Sequence, residues 1–211
     1  MFPDLTCDDV FRLETERLWL RWPRSSDAAE LATIASRAEV AEMTARIPHP
    51  YPDGEAERFI FRARADNASG RALTLALTPK RGSRLPLGLV SATAAPENAV
   101  HVGFVMAPGA WGKGYATEAV KALIEAVFAL TEATAVKDVV RIENPAARRV
   151  LEKCGFLHVG QDIVNLPARG LVTCDRFRLE RQAWAQRRMS RRIPGMSQQA
   201  GFGGAAEAVK P

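Results

Sequence analysis

The run Trp111-Gly112-Lys113-Gly114-Tyr115-Ala116-Thr117 carries the clearest chemistry in the chain. It follows a segment that reads as a strand, Val100 to Met106. It leads into Ala116, Ala119, Val120, Leu123, Ile124 and Val127, which recur at helical spacing. Glycines at the head of a helix let the backbone turn tightly and approach a ligand. Successive amides then point into one concavity, and the helix dipole adds partial positive charge. The arrangement suits a phosphate or pyrophosphate; its plain alternative is a tight turn before an amphipathic helix. Spacing excludes two common nucleotide motifs. Gly109 and Gly114 match the glycines of GxxxxGK[ST], but Tyr115 and Ala116 stand where Lys and Ser or Thr must be, and GxGxxG fails because Thr117 takes the third glycine's place.

The elements that must hold this loop can be read from periodicity. Arg12 to Trp22 ends in the alternation Leu18, Leu20, Trp22, a strand with one buried face. Ser25, Ser26 and Asp27 offer a helix cap ahead of Leu31, Ile34 and Ala35. A second helix follows the Pro-rich link Ile47 to Gly54 and carries Phe59, Ile60 and Ala63. Leu73, Leu75 and Leu77 alternate again, and turn chemistry from Gly82 to Pro86 pairs them with Leu87 to Thr93 in a hairpin. Beyond the loop and its helix, Val136 to Ile142 reads as a strand. Asn144-Pro145 starts a helix over Ala146 to Cys154 that stops at Gly155, and Phe156 to Ile163 and Val172 to Leu179 close as a strand pair.

Composition bounds the rest. The 211 residues, 47% hydrophobic and 25% charged, fit one globular domain that needs no covalent or metal staple. Cys7, Cys154 and Cys174 have neither zinc-site nor disulfide-framework spacing, and His49, His101 and His158 lack metal partners in sequence, so no metal is expected. No apolar run approaches membrane-spanning length, and MFPDLTCDDV carries acid where a signal peptide carries Lys or Arg; the expected compartment is the cytoplasm. The net charge of +5 raises the question of nucleic acid, but Arg187, Arg188, Arg191, Arg192 and Lys210 against Glu207 place +4 of it in residues 187–211. No specific DNA binding is expected. Residues 1–10 read as an extension, 11–186 as the domain, and 187–211 as a basic tail, largely disordered beyond one helical turn, for which ribosome docking is the functional alternative to a solvated extension.

The loop AWGKGYATEAV resembles the acetyl-CoA loop of the GCN5-related N-acetyltransferase (GNAT) superfamily, pattern [RQ]-x-x-G-x-[GA], matched at Gly114 and Ala116, with Trp111 in the Arg or Gln place. That departure, together with LETERLWLR (Leu13 to Arg21) and ENPAARRVLEKCGF (Glu143 to Phe156), is similar to the branch of ribosomal-protein N-terminal acetyltransferases. The resemblance covers about residues 11 to 184. It implies an α/β (α+β) acyl-CoA N-acyltransferase fold: a mixed, twisted sheet of about seven strands, helices on both faces, and central strands Val100 to Met106 and Val136 to Ile142 splayed apart. It implies that backbone amides of Trp111, Gly112, Lys113, Gly114, Tyr115, Ala116 and Thr117 hold the pyrophosphate of acetyl-CoA. Main-chain groups of Phe104, Val105 and Met106 would meet the pantetheine and polarise the acetyl carbonyl. Such fixed donors stabilise the developing oxyanion by about 2.7 to 4 kcal/mol each.

Transfer to an amine needs a base for the ammonium and a proton for the CoA thiolate. The branch usually carries Asn-x-x-Ser, Asn on the pantetheine and Ser as acid; here Asn144 is kept and Ala147 replaces Ser. Three readings stand: solvent protonates the thiolate, Tyr115 or Tyr51 substitutes, or the chain binds CoA without fast chemistry. His101 is the expected base, since imidazole titrates near neutrality, with Glu16 and His49 weaker candidates and the stretch holding His49 and Tyr51 expected to form the acceptor wall. The expected activity is N-acetyl transfer to a primary amine, of a protein N-terminus or a small molecule, by direct attack; a homodimer fits the resemblance.

Overall fold

The computed structural model describes residues 11–192. The expected N-terminal extension, 1–10, and the tail from 193 onward lie outside the described residues. Eight strands form one sheet in the order β1-β2-β3-β4-β5-β6-β8-β7. They are β1 Arg12–Glu14, β2 Leu18–Arg21, β3 Ala72–Pro79, β4 Gly88–Ala95, β5 Ala99–Met106, β6 Ala135–Arg141, β7 Leu157–Leu166 and β8 Gly170–Glu180. The helices are α1 Ala28–Ala35, α2 Ala38–Ala41, α3 Glu55–Ala68, α4 Tyr115–Leu130, α5 Pro145–Cys154 and α6 Arg181–Arg192. Every neighbouring pair is antiparallel except β5 and β6.

The sheet is covered on both faces, which β3 shows most directly, buried along nearly all its length. Leu73, Leu75 and Leu77 join the main core with Val100, Val102, Val120, Leu123 and Val127 under α4. The other face of β3 meets α3, where the buried Asn67 amide donates to the Thr74 carbonyl (2.9 Å) and accepts the Thr74 amide (2.7 Å). A smaller cluster of Ala28, Leu31, Ala56 and Ile60 joins α1 to α3.

Two expectations need correction. The stretch Arg12 to Trp22 is a hairpin rather than one strand, so the sheet has eight strands and not about seven. The turn forms because Thr15 and Arg17 are drawn to a carboxylate far along the chain. The Thr15 hydroxyl donates to Glu118 Oε1 (2.6 Å), the Arg17 amide donates to the same oxygen (2.7 Å), and the Arg17 guanidinium donates to Oε2 (2.7 Å) and to the Lys113 carbonyl (2.8 Å). A short helix, α2, also stands where none was expected. After β8, α6 runs from Arg181 to Arg192. Trp184 packs on Phe128 (ring centroids 5.0 Å apart), and Arg181 donates to the carbonyls of Phe128 and Ala133 (both 2.7 Å), orphaned acceptors at and just beyond the C-terminus of α4. Arg188 lies over the Trp184 ring (5.4 Å), one turn back on the same helix.

Glu118 is the acceptor on which the hairpin and the glycine loop converge. Burial alone would raise its pKa, but the Thr15 hydroxyl and the Arg17 amide and guanidinium outweigh that and hold the carboxyl below its ordinary range. Glu118→Ala is expected to cost about 1.5–3 kcal/mol of unfolding free energy in urea titrations, the size of hydrogen bonds to a charged group. A loss under about 0.5 kcal/mol would contradict the clamp.

Candidate active site

β5 and β6 pair only through Ala99↔Ala135, Val100↔Val136 and His101↔Lys137. Beyond that point β5 stays on β4 up to Gly88↔Met106, while β6 stays on β8 up to Arg141↔Cys174. The two halves of the sheet therefore part, and the gap is a cavity of about 570 Å³, within the usual range for small-molecule sites. Its walls are Gly103 to Met106 on β5 and Asp138 to Arg141 on β6, with Gly112, Gly114 and Tyr115 to Thr117 at one end and Val40, Met43 and Thr44 at the other.

The loop has the geometry of an anion cradle. Gly112 and Gly114 sit at φ of +72° and +80°, conformations that other residues adopt at a cost. Among the described residues, the amides from Gly112 to Thr117 find no hydrogen-bond partner; the next, Glu118, begins the helical ladder on the Gly114 carbonyl (3.1 Å). The Trp111 amide departs from the expected set, since it donates to the Pro108 carbonyl (3.1 Å). Trp111 instead donates its indole Nε1–H to the Met106 carbonyl (2.9 Å), bracing the loop against β5. Lys113 is exposed and its side chain is not in the cavity wall; its carbonyl serves as an acceptor for Arg17.

Phe104, Val105 and Met106 all line the cavity, but their main chains differ. The Ala107 amide donates to the Leu87 carbonyl (2.7 Å). Strand alternation therefore turns Val105 toward β4 and sends the main-chain groups of Phe104 and Met106 into the gap. Asn144 lines the cavity as well. Its Oδ1 caps α5 by accepting the Ala147 amide (3.0 Å), and its Nδ2 donates to the Met43 carbonyl (3.3 Å), tying α5 to the α2 loop. Ala147 is buried at 8% exposure and faces the cavity without a hydroxyl.

The expected acid–base and acceptor residues fare differently. His101 is on the strand, but Val100 and Val102 point into the α4 core, so alternation puts His101 on the other face, and it is absent from the cavity wall. Burial, then the Lys137 and Arg46 cations, hold its imidazole below the ordinary value. Glu16 and His49 are exposed and outside the cavity. Tyr51 packs against the α1–α3 cluster, where burial raises its hydroxyl pKa. Of the expected acids, Tyr115 alone lines the cavity, with the Arg17 guanidinium over its ring at 4.6 Å. Cys154, whose thiol burial pushes up to about 12, donates weakly to the Thr117 carbonyl (3.6 Å) and is unsuited to nucleophilic work.

Sequence reasoning missed two features. The end of the cavity opposite the glycine loop is built from α2 and its loop, held by Arg141 on the Glu42 carbonyl, the Ala168 amide on the Ala45 carbonyl (3.0 Å) and Arg169 on the Ile47 carbonyl (2.8 Å). The other is Asp138, in the fork of the splay, whose carboxyl burial pushes up to about 8. An acid between valines in VKDVVRI was the available clue, since its neighbours predict a buried strand.

The chain belongs to the GNAT acetyltransferase family: residues 17–157 match the model of the acetyltransferase (GNAT) domain. No curated protein matches it. Among solved structures, RimJ of Mycobacterium smegmatis in complex with CoA-disulfide is 21% identical, with a TM-score of 0.71 over 90% of this chain and 97% of its own. A putative ribosomal-protein-serine acetyltransferase from Vibrio cholerae is 22% identical, with a TM-score of 0.69 over 82% and 98%. The microcin C7 self-immunity acetyltransferase MccE, in complex with acetyl-CoA and AMP, is 18% identical, with a TM-score of 0.68 over 78% and 93%. At these identities the likeness establishes the fold. As a GNAT acetyltransferase the protein takes its acyl group from acetyl-CoA, and unpartnered amides at a helix head beside an open strand edge fit a pyrophosphate and an amide-bearing arm. Among the described residues no group of His, Cys, Asp and Glu could hold a metal ion, and no helix is long and apolar enough to cross a membrane.

Two outcomes are expected. Gly114→Asp sets a strained Cβ and a carboxylate among the cradle amides, and acetyl-CoA affinity by calorimetry should fall roughly tenfold or more, one charge-assisted contact's worth; unchanged affinity would move the site elsewhere. The raised pKa of Asp138 makes the folded chain bind a proton that the unfolded chain releases between the ordinary aspartate value, 3.8, and about 8. Its contribution to stability is therefore lost as pH rises through that window. Asp138→Asn should melt with the wild type near pH 4 and several degrees higher at pH 8; a difference independent of pH would contradict this.

Proposed function

We propose that this protein acetylates a primary amine by direct attack on acetyl-CoA, without an acyl-enzyme. The observation that carries the proposal is the parting of β5 and β6. It leaves one cleft whose lining runs from the glycine loop to the α2 loop. Two substrates entering from opposite ends would meet beside Phe104 and Met106, whose main-chain groups face the gap. Acetyl-CoA would lie with its pyrophosphate on the amides from Gly112 to Thr117 and its arm along β5, the open edge supplying donors to the thioester carbonyl. A fixed N–H there is worth most as negative charge develops on that oxygen, because it needs no reorganisation at the moment of reaction.

The acceptor would enter past Val40, Met43 and Thr44, with the carboxylates of Glu39 and Glu143 in the cavity wall to attract a cationic amine. His101, off the cavity, would act at most through solvent, so acceptor deprotonation falls to water or to these carboxylates. The likeness to ribosomal-protein acetyltransferases and to MccE supports testing protein N-termini and small amines together. Docking of the ribosome by the basic run from Arg187 onward, read by a salt-sensitive pull-down with and without residues 187–211, and dimerisation, read by the mass of the protein in solution, are further parts of this proposal.

A CoA-binding module without efficient turnover is the second reading, favoured by one observation, the alanine at 147 in the cavity wall. Thiol release from acetyl-CoA, measured with peptides beginning in Ser, Ala and Met and with amino acids, polyamines and aminoglycosides, separates the two. Turnover with at least one acceptor class is expected. Calorimetric binding of acetyl-CoA with no thiol release across the panel, in wild type and Ala147→Ser alike, would establish the second reading instead.

A further inference from the structure

Asp138 is the first residue of β6 beyond its last pair with β5, His101↔Lys137, so it stands in the fork where the sheet opens. β6 keeps unbroken register with β8, and period-two alternation therefore holds along it. Val136 and Val140, on either side of Asp138, lie in the core beneath α4 and α5, which turns Asp138 to that same face. Lys137 points the other way and pairs with Glu97. Directly across on β8 stands Phe177, 1% exposed. Ala147, in the first turn of α5, belongs to the same cluster as Val140 and lines the same cavity as Asp138. The fold thus places a carboxyl on the face that carries the position of the missing hydroxyl.

The residues that flank that carboxyl on its own face, Val136, Val140 and Phe177, are apolar, and Asp175, diagonal to it on β8, is engaged by Arg148, His158 and Gln161. The one hydrogen bond to the Asp138 carboxyl among the described residues is from the amide of the next residue, Val139 (2.8 Å). The charged and titratable groups around the cavity are Glu39 on α2, Tyr115 on α4, Arg141 and Glu143 at the end of β6, and Arg149 and Lys153 on α5. Cys174 on β8 pairs with Arg141, and burial raises its thiol pKa. Arg141 is turned to Glu143 and to the Glu42 carbonyl, and among the described residues none of these groups forms an ion pair or hydrogen bond with Asp138. The carboxyl is half-buried in the cavity wall, and desolvation pushes its pKa up to about 8, so it favours the protonated form at neutral pH, where a surface aspartate would not.

We propose that Asp138 is the general acid of this enzyme, protonating the departing CoA thiolate in place of a hydroxyl at position 147; the proposal rests on the acetyltransferase reading above. The acceptor nitrogen forms a bond to the thioester carbonyl carbon, the carbon–sulfur bond breaks, and the sulfur takes its proton from the Asp138 carboxyl. The carboxylate left behind recovers a proton through cavity solvent from the acetylated nitrogen, which must lose one. No other reactant is needed, and Asp138 ends each cycle as it began.

The test compares wild type, Asp138→Asn, and Asp138→Asn combined with Ala147→Ser, using acetyl-CoA and an acceptor that the wild type turns over. Asn keeps the size and neutrality of the protonated acid but is a far weaker proton donor. Asp138→Asn should lower kcat by about 100-fold or more, the usual share of general acid catalysis, while calorimetric affinity for acetyl-CoA stays within roughly threefold. Adding Ala147→Ser should restore kcat at least roughly tenfold. The wild-type kcat should decline above a pH of about 8, a limb absent from the double variant. Overturning results are kcat of Asp138→Asn within roughly threefold of wild type, loss of acetyl-CoA affinity in parallel with kcat, or no recovery in the double variant. A wild type that binds acetyl-CoA yet acetylates nothing would overturn the acetyltransferase reading and this proposal with it; an active wild type with an unaffected Asp138→Asn overturns the proposal alone.

Discussion

Parallel strands bond through slanted, evenly spaced hydrogen bonds, and β5 and β6 keep this up for only three residue pairs. Past His101 and Lys137 each strand stays with its antiparallel neighbour, β4 or β8, so divergence leaves one open edge on each. An open strand edge inside a domain carries unpaired donors and acceptors, a costly state unless a ligand or water meets them. In the proposed function that edge is the binding surface. The cradle, the capped α5 and the α2 loop are arranged around a defect in the sheet, and the core beneath α4 lets the two halves part without losing their packing.

Holding the cradle at the end of that gap falls to residues distant in sequence. Thr15 and Arg17 in the first hairpin grip Glu118 in the first turn of α4, and Arg17 also reaches the Lys113 carbonyl and the Tyr115 ring. From the other side the Trp111 indole holds the Met106 carbonyl. The loop is thereby fixed by side chains and carbonyls that leave the amides from Gly112 to Thr117 pointing outward. This explains why TER and GKGYATE occur together in one chain: one segment supplies the donors, the other the carboxylate that receives them.

Much of the fold is legible in the sequence because it rests on local chemistry. Asn144-Pro145 begins a helix and Gly155, at φ of +96°, ends it, as their backbone preferences require. The alternating leucines of β3 read as a strand because one face meets the core. What stays hidden depends on contacts across the chain. The hairpin at Thr15 to Arg17 is set by a carboxylate about a hundred residues away, so periodicity alone merges it into one strand. His101 falls on the strand that periodicity assigns it, but which face meets the cavity depends on where α4 packs. Tyr51 reads as an acceptor-wall residue and is packed against the α1–α3 cluster. Asp138 escapes notice because an acid in a strand stands out only once its neighbours are known to be buried.

In the proposed function acetyl-CoA occupies the gap between β5 and β6 and is held there by main-chain groups. Residue-resolved amide hydrogen exchange by NMR, with and without acetyl-CoA, tests it most directly. Slowed exchange is expected at Gly112 to Thr117 and at Phe104 and Met106, with little change at Val105, whose amide already faces β4. Protection that leaves Phe104, Met106 and the loop amides untouched, or that appears on β1 or β7 instead, would contradict it.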